Sequence, residues 1–224
     1  MFLIKWIDYI LDILFPPRCP FCHKLLKSDE VGFCCLCQEN LPWIVGPDAE
    51  QKFSFVSLCV SPLWYQGDVR ESIHCYKFGD CSGYSKVFGT LVAQSVHDHL
   101  KDRFDVITWV PLSSKGLKKR GYDQAKILAM SVAKNLNCSI TETLHKTRNT
   151  ATQSGITNDA ARRANVLSAF EAINVDAIAG KRILLIDDVV TTGSTLSECA
   201  CILRTAGAID VVCATFARAR REKT

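Results

Sequence analysis

Two adjacent carboxylates and a hydroxyl-rich loop follow one apolar run late in the chain. The run at 183–186 ends at Asp187 and Asp188, and the loop after it contains Thr191, Thr192, Gly193, Ser194 and Thr195. Glycine lets backbone amides approach a ligand, and a helix start adds a positive dipole end, so the loop suits a phosphate monoester. Because carboxylates would repel that phosphate, we expect them to contact sugar hydroxyls or a bridging Mg2+. The stretch predicts a site for a phosphorylated sugar.

A second group of residues has the spacing of a metal site. Two Cys-x2-Cys pairs are formed by four cysteines, Cys19, Cys22, Cys34 and Cys37. Each pair can direct both sulfurs at one ion, and two pairs complete a tetrahedral zinc site without an open position for water. Cys35 and His23 are alternative ligands of lower priority, because they break the paired geometry. The spacing predicts a structural Zn2+ that does not catalyse.

The remaining pattern indicates the elements that position these groups. Residues 2–15 place apolar side chains on one helical face, and Pro16 and Pro17 end that helix. We predict an N-terminal helix and four-cysteine module over 1–45, then a larger domain over 46–224. Strands predicted at 55–65, 104–111, 141–146, 182–187 and 210–217 alternate with helices at 84–100, 123–136 and 194–206. This alternation is typical of an α/β fold with a mainly parallel sheet, in which ligands bind beyond the carboxyl ends of the strands.

Composition limits the class of protein. The chain has 224 residues, and 27 Lys and Arg against 23 Asp and Glu give a formal charge of +4. That excess is too small to indicate a nucleic-acid binder by itself, although it suits anionic ligands. The apolar start contains Asp8 and Asp12, lacks a small-residue cleavage site and is too short to span a bilayer. We therefore predict a cytoplasmic protein without stable membrane insertion.

The acidic pair and its loop resemble a known motif. Two hydrophobic residues, Asp-Asp, three further residues and Thr-Gly-x-Thr form the phosphoribosyl pyrophosphate (PRPP) motif of type I phosphoribosyltransferases. The resemblance implies that fold, and it implies that Asp187 and Asp188 bind the ribose 2′ and 3′ hydroxyls and Mg2+. Residues 191–195 would then bind the 5′-phosphate.

Further segments resemble the ComF family over nearly the whole chain. They are the four-cysteine module, YKFGD at 76–80, VPLSSKGLKKRGYDQAKILA at 110–129 and RRANVLSAF at 162–170. Asp123 stands where the family usually has Asn. Members of the family are linked to DNA uptake and natural transformation.

The resemblance also implies where pyrophosphate binds. Its candidate contacts are Ser113, Ser114, Lys115 and Lys77, to which Lys118, Lys119 and Arg120 can add. The polar stretch at 146–163 is similar to the hood loop that closes over substrate in these enzymes, with Arg148, Gln153 and Arg162 as candidate contacts. Purine-salvage phosphoribosyltransferases often carry an aspartate that acts as a base at the position of Thr191. This chain has threonine there, so the sequence identifies no base for an acceptor.

Two functional hypotheses follow. In the first, the chain binds Mg2+ and PRPP and transfers ribose phosphate to an acceptor that the sequence does not identify. In the second, it is a non-catalytic protein that binds single-stranded DNA or competence partners and keeps the PRPP site for sensing or as a vestige.

Overall fold

The computed structural model of the chain describes residues 16–79, 81–147 and 169–220. Within these ranges the helices are α1 (Cys35–Asn40), α2 (Gly67–Phe78), α3 (Ser85–Leu100), α4 (Ser114–Arg120), α5 (Gln124–Leu136) and α6 (Ser194–Thr205). The strands are β1 (Glu50–Phe53), β2 (Val56–Val60), β3 (Leu63–Trp64), β4 (Val106–Trp109), β5 (Leu144–Lys146), β6 (Phe170–Ala172), β7 (Arg182–Val190) and β8 (Asp210–Arg218). The helix predicted over residues 2–15 lies outside the described residues.

The main sheet is parallel except at one edge. Its strand order is β1-β2-β8-β7-β4, and β3 also pairs with β8. Of these pairings, the one between β1 and β2 is antiparallel and the others are parallel. The central strands β7 and β8 are almost continuously apolar, which is expected of strands covered on both faces. The predicted α/β fold with a mainly parallel sheet is confirmed.

The side chains of β7 alternate between two hydrophobic clusters. Leu184 and Ile186 pack with α2, α3 and α5 on one face of the sheet, whereas Ile183 and Leu185 pack with α6 on the other. This period of two follows from the pleat, since successive side chains of a strand point to opposite faces. Both faces are therefore covered by helices, and the carboxyl end of β7 emerges between the two layers.

The cysteine module shares the core of the larger domain. The Phe21 ring lies 6.3 Å from that of Phe88 on α3 and 6.5 Å from that of Phe216 on β8, centroid to centroid. Trp43 forms an isolated antiparallel β-bridge with Leu63 of β3, so the backbone at the end of the module is paired with the main sheet. The boundary predicted between residues 45 and 46 stays a prediction, and one hydrophobic cluster extends across it.

No helix in the described ranges combines the length and the apolar character that a bilayer crossing demands.

Candidate functional site

The acidic pair lies at the carboxyl end of β7, as the sequence predicts. Four fully buried residues, Ile183 to Ile186, fix the strand in the sheet, and Asp187 and Asp188 follow directly. Asp188 is 7% exposed, and its backbone N–H donates to Asp187 Oδ1 at 2.8 Å. The two carboxyl groups are thus held by a strand that is paired on both sides and cannot shift independently of the sheet.

A lysine from α2 partly neutralises this pair. The Lys77 ammonium lies 2.7 Å from Asp188 Oδ1, and both side chains are largely shielded from solvent. Burial of the Asp187 carboxyl and the neighbouring charge of Asp188 raise the pKa of Asp187 well above its usual range, although Lys77 opposes that shift. Two carboxylates so close together do not both ionise easily unless a cation joins them.

The hydroxyl-rich loop forms a small cavity beside Asp187. This cavity of about 30 Å³ is lined by Asp187, by residues 189–190 and by the loop itself, Thr191, Thr192, Gly193, Ser194, Thr195 and Leu196. Thr192 Oγ1 lies 2.8 Å from Ser194 Oγ and accepts from the Ser194 backbone N–H at 3.3 Å, so these two hydroxyls are hydrogen-bonded to each other within the loop. The structure places Asp187 and the predicted phosphate-binding residues around one cavity, whereas Asp188 pairs with Lys77 and is not part of the lining.

Glycine at 193 is required for two reasons. Its φ of +83° lies in the left-handed region, and a Cβ built there would stand 2.2 Å from Phe53 Cδ1. The Phe53 ring, from the edge strand β1, therefore closes the back of the loop. Immediately after this turn α6 begins at Ser194 and presents its first backbone N–H groups at the loop.

The segment after β4 lies next to the acidic pair, because β4 is the neighbour of β7. Trp109 is in register with Ile186, and the Val110 N–H donates to the Ile186 carbonyl at 3.0 Å. Ser113 caps α4 by accepting from the Gly116 N–H at 3.2 Å. The candidate pyrophosphate residues Ser113, Ser114 and Lys115 thus form the cap and first turn of α4, after the strand adjacent to β7, and the last two are exposed.

Asp123 holds this segment in position. Its carboxylate accepts from the Leu112 N–H at 3.0 Å through Oδ2, and from the Lys126 N–H at 3.1 Å through Oδ1, which caps α5. Burial raises the pKa of Asp123, while these N–H groups oppose the rise. Both interactions use acceptor oxygens, so no amide N–H of an asparagine is needed in either of them.

The basic residues of α4 lie beside the end of α2. The Arg120 guanidinium stands 4.8 Å from the centroid of the exposed Phe78 ring, and Lys118 and Lys119 are exposed on the same helix. Lys77, the remaining pyrophosphate candidate, pairs with Asp188 instead. The three candidate hood residues, Arg148, Gln153 and Arg162, lie outside the described residues.

The four predicted zinc ligands converge at one point. The sulfurs of Cys19, Cys22, Cys34 and Cys37 all lie within 4.8 Å of one another, and those of Cys22 and Cys34 are 3.6 Å apart. Tetrahedral ligands with Zn–S distances of about 2.3 Å place sulfurs about 3.8 Å apart, so the cluster fits zinc. The alternatives lie apart from it: Cys35 is exposed, and the His23 ring contacts the Tyr84 hydroxyl at 3.3 Å. The cluster supports a structural Zn2+.

Two features of the site region were not predicted from the sequence. Cys75 and Cys81 form a disulfide on either side of YKFGD, and their spacing around that motif was the available signal. At the ends of β3 and β8, the Arg218 and Arg220 guanidinium groups lie 4.4 and 5.0 Å from the centroid of the Trp64 ring.

Comparison with known proteins defines the class. A family model described as a phosphoribosyl transferase domain matches residues 116–224, and one described as a double zinc ribbon domain matches residues 10–49. The chain is therefore a phosphoribosyltransferase-type domain preceded by a zinc ribbon module. Over 220 residues it is 36% identical to DNA utilization protein YhgH of Salmonella typhimurium, which covers 88% of this chain and 94% of that protein.

Two further relatives carry competence in their names. Competence protein F of Haemophilus influenzae is 27% identical over 223 residues, covering 90% of this chain and 97% of that protein. Competence protein ComFC of Streptococcus pneumoniae is 29% identical over 195 residues, covering 87% of this chain and 77% of that protein. The chain belongs to the ComF family.

Proposed function

We propose that this protein binds PRPP together with Mg2+ at the carboxyl end of β7, in the service of DNA uptake and natural transformation. One observation carries the proposal: Asp187 and the loop of residues 191–195 line the same small cavity. A ligand with a sugar end and a phosphate end suits the two groups of residues that meet at that cavity, the carboxylate and the hydroxyl-rich loop. The relatives named for competence and DNA utilization support the physiological setting.

The 5′-phosphate is assigned to the loop before α6. Backbone N–H groups at a helix start and the helix dipole favour an anion there. The hydroxyls of Thr191, Thr192, Ser194 and Thr195 are available as further donors, and four of the five loop residues are exposed. Gly193 is buried and supplies the left-handed turn that precedes α6.

The ribose hydroxyls are assigned to the acidic pair. Carboxylates accept strongly from hydroxyl groups, so Asp187 and Asp188 can each hold one of the 2′ and 3′ hydroxyls. Carboxylates and pyrophosphate oxygens are also the ligands that Mg2+ prefers, and the ion would supply charge neutralisation of the leaving pyrophosphate. The shielded position of Asp188 lets such contacts form with little competition from water.

The pyrophosphate end is assigned to the segment after β4 and to Lys77. Ser113, Ser114 and Lys115 follow the strand adjacent to β7, and Asp123 fixes the start of their turn through the Leu112 N–H. Lys77 is within reach of the acidic pair and can pass from Asp188 to a ligand oxygen. A polyanion between these groups would be stabilised electrostatically, as the departure of pyrophosphate from C1′ requires.

In the enzymatic version of this function, the protein transfers ribose phosphate from PRPP to an acceptor. Loss of pyrophosphate leaves an oxocarbenium-like C1′ centre, which a nucleophile attacks and which water would otherwise consume. The predicted hood contacts Arg148, Gln153 and Arg162 would exclude water in this scheme.

A second candidate function has its own supporting observation. Exposed cations lie on α4, and two aromatic rings each have an arginine guanidinium against them: Phe78 has Arg120 of α4, and Trp64, at the end of β3, has Arg220. Proteins usually bind single-stranded nucleic acid with cations that follow its phosphate backbone and with aromatic rings on which its bases stack. In this alternative the chain binds single-stranded DNA or competence partners without catalysis, and the PRPP site serves sensing or is vestigial.

Calorimetric titration with PRPP and Mg2+ tests the proposal. We expect binding by the unaltered chain and its loss in the variant D187N/D188N, with D176N as the matched control because Asp176 is exposed and lies before β7, outside the motif. Equal affinity in the double variant would contradict the site assignment.

Titration with single-stranded DNA at two salt concentrations tests the second candidate function, since phosphate contacts weaken steeply with salt. Absence of binding at low salt would remove it.

A further inference from the structure

One pair of cysteines differs from the rest of the twelve in the chain. Cys75 and Cys81, six positions apart, are joined by a disulfide, and the other ten are free thiols. Four of those ten form the zinc cluster. Three more, Cys59, Cys199 and Cys213, are fully buried, and burial raises the pKa of each thiol, which makes them poor nucleophiles. The bonded pair, by contrast, is only half-buried.

The disulfide sits at the end of α2. Cys75 is in the last turn of that helix, which ends at Phe78, and Cys81 follows it. Between them the chain passes very close to the bridge, because a Cβ added at Gly79 would stand 2.9 Å from Cys75 Sγ. Cys81 Sγ also lies 3.2 Å from the Gly79 carbonyl oxygen. The bond therefore fixes the direction in which the chain leaves α2.

The same helical turn contacts the proposed PRPP site on two sides. The Lys77 ammonium pairs with Asp188 at 2.7 Å on β7. The buried Tyr76 hydroxyl donates to the Gln124 carbonyl at 2.7 Å, and the Tyr122 hydroxyl donates to the Tyr76 carbonyl. Next to them the Phe78 ring lies under Arg120 of α4. The last turn of α2 therefore contacts both the acidic pair and the two helices that follow β4, α4 and α5.

We propose that Cys75 and Cys81 are a thiol–disulfide exchange site that sets the position of Lys77 and so the affinity for PRPP. The inference rests on the proposed function. In the oxidised form the short covalent ring limits the conformations of the turn, so Lys77 is preorganised beside Asp188. In the reduced form the turn is less restricted, and ordering it on ligand binding lowers the affinity. Lys77 is the ligand contact in this scheme, and the disulfide acts by positioning it.

The exchange is chemically complete with a low-molecular-weight disulfide such as glutathione disulfide as the oxidant. One cysteine thiolate attacks a sulfur of that disulfide, which forms a mixed disulfide and expels one glutathione thiolate. The second cysteine thiolate then attacks the protein sulfur of the mixed disulfide and expels the other glutathione thiolate. Two protein thiols are oxidised, one glutathione disulfide is reduced to two glutathione molecules, and the two protons of the protein thiols pass to the expelled thiolates. Excess glutathione reverses both steps.

The test uses the full chain in two redox states. The protein is equilibrated with glutathione disulfide or with reduced glutathione, and differential alkylation with peptide mass spectrometry reports the state of Cys75 and Cys81. Zinc content is measured in both samples, so that oxidation of the zinc ligands is detected separately. Mg2+ and PRPP are then titrated calorimetrically into each. We expect the oxidised form to bind about 3- to 10-fold more tightly, the effect of ordering a few side chains in advance.

Variants separate the contributions. C75S/C81S should bind with the affinity of the reduced protein in both conditions, whereas C138S, which removes an exposed free thiol, should keep the full redox response. K77M should bind weakly in both conditions and show no redox response, an outcome that a merely structural disulfide would not produce.

Three results would overturn the inference. The first is that Cys75 and Cys81 remain open to alkylation after oxidation. The second is measurable PRPP affinity that is equal in the two states or weaker in the oxidised one, which leaves the proposed function standing. The third is absence of PRPP binding in both states, which removes the proposed function and this inference together.

Discussion

The Lys77 ammonium and the Asp188 carboxylate form an ion pair of 2.7 Å between α2 and the carboxyl end of β7. The pair lies where both side chains are largely shielded, so it is screened less than an ion pair on the surface. Asp187 stands beside it with its pKa raised by burial and by the charge of Asp188. The charge balance of the site therefore depends on a residue 110 positions before the acidic motif.

Removing the Lys77 charge should weaken PRPP binding. In K77M the aliphatic length is kept, but the acidic pair loses its cation and the ligand, a polyanion, meets an uncompensated carboxylate. A charge-assisted contact contributes about 1.5–3 kcal/mol, which corresponds to about 10- to 100-fold in affinity. Calorimetric titration with PRPP and Mg2+ measures this change.

The control for that variant is K134M, which makes the same substitution at an exposed lysine of α5. It should leave the affinity unchanged. If K77M bound as tightly as the unaltered chain, or more tightly, Lys77 would be a competitor for Asp188 rather than a contributor to the ligand site.

Substitution of Asp187 should stabilise the fold while it abolishes binding. The pKa of Asp187 is raised in the folded state, so between about pH 4 and that raised pKa the carboxyl is ionised in the unfolded chain but still protonated in the folded one. The unfolded chain therefore binds fewer protons, and the free energy of unfolding falls as the pH rises through this range. D187N does not ionise and escapes this loss. We expect a higher melting temperature than that of the unaltered chain at pH 7, and no difference at a pH below about 4.

The melting curves at the two pH values separate this effect from a general one. Each kcal/mol gained should raise the melting temperature by about 2–4 °C in a chain of this size. The exposed control D176N should match the unaltered chain at both pH values. A gain for D187N that is the same at both pH values would show that ionisation of Asp187 is not its cause.

The candidate site residues that are contiguous in the sequence could be predicted, whereas some of the elements that pack around them could not. The motif from Ile183 to Thr195 contains a strand, two candidate ligand-binding carboxylates and a loop in one stretch, so its local structure follows from its own residues. The Cys-x2-Cys pairs likewise encode a local turn each, and their convergence needs no knowledge of the rest of the fold. The alternation of apolar segments was enough to indicate a mainly parallel sheet.

Helix α2 and strand β1 were not predicted, for physical reasons that their residues show. Fewer than half of the residues of α2 are apolar, and its fully buried residues Val69, Ile73 and Tyr76 form only a narrow stripe at i, i+4 and i+7 instead of a continuous apolar run. β1 is an edge strand that alternates between exposed and half-buried residues without a clear apolar face. As a consequence, the pairing of Lys77 with Asp188 and the contact of Phe53 with Gly193 could not be read from the sequence.

Loss of one zinc ligand should destabilise more than the module. C22S leaves three thiolates for the metal, and we expect it to release zinc, which a chromogenic chelator measures. Because Phe21 packs against Phe88 and Phe216 of the larger domain, the loss should lower a single melting transition of the whole chain. C138S, at an exposed thiol, is the matched control. Full zinc content in C22S would contradict the assigned ligand set.

Addition of one methyl group at Gly193 should disrupt the phosphate loop beyond the cost of its backbone conformation. G180A is the matched variant: Gly180 also has a positive φ, +71°, but a Cβ there meets no atom within 4 Å. G180A should therefore show the left-handed penalty alone, about 1–2 kcal/mol, in urea unfolding. In G193A the Phe53 ring must move as well, because the Cβ would lie 2.2 Å from its Cδ1, and overpacking adds about 1–3 kcal/mol. We expect G193A alone to lose PRPP binding, since the clash with the Phe53 ring would displace the loop to which the 5′-phosphate is assigned. Equal losses of stability in the two variants would show that Phe53 does not support the loop.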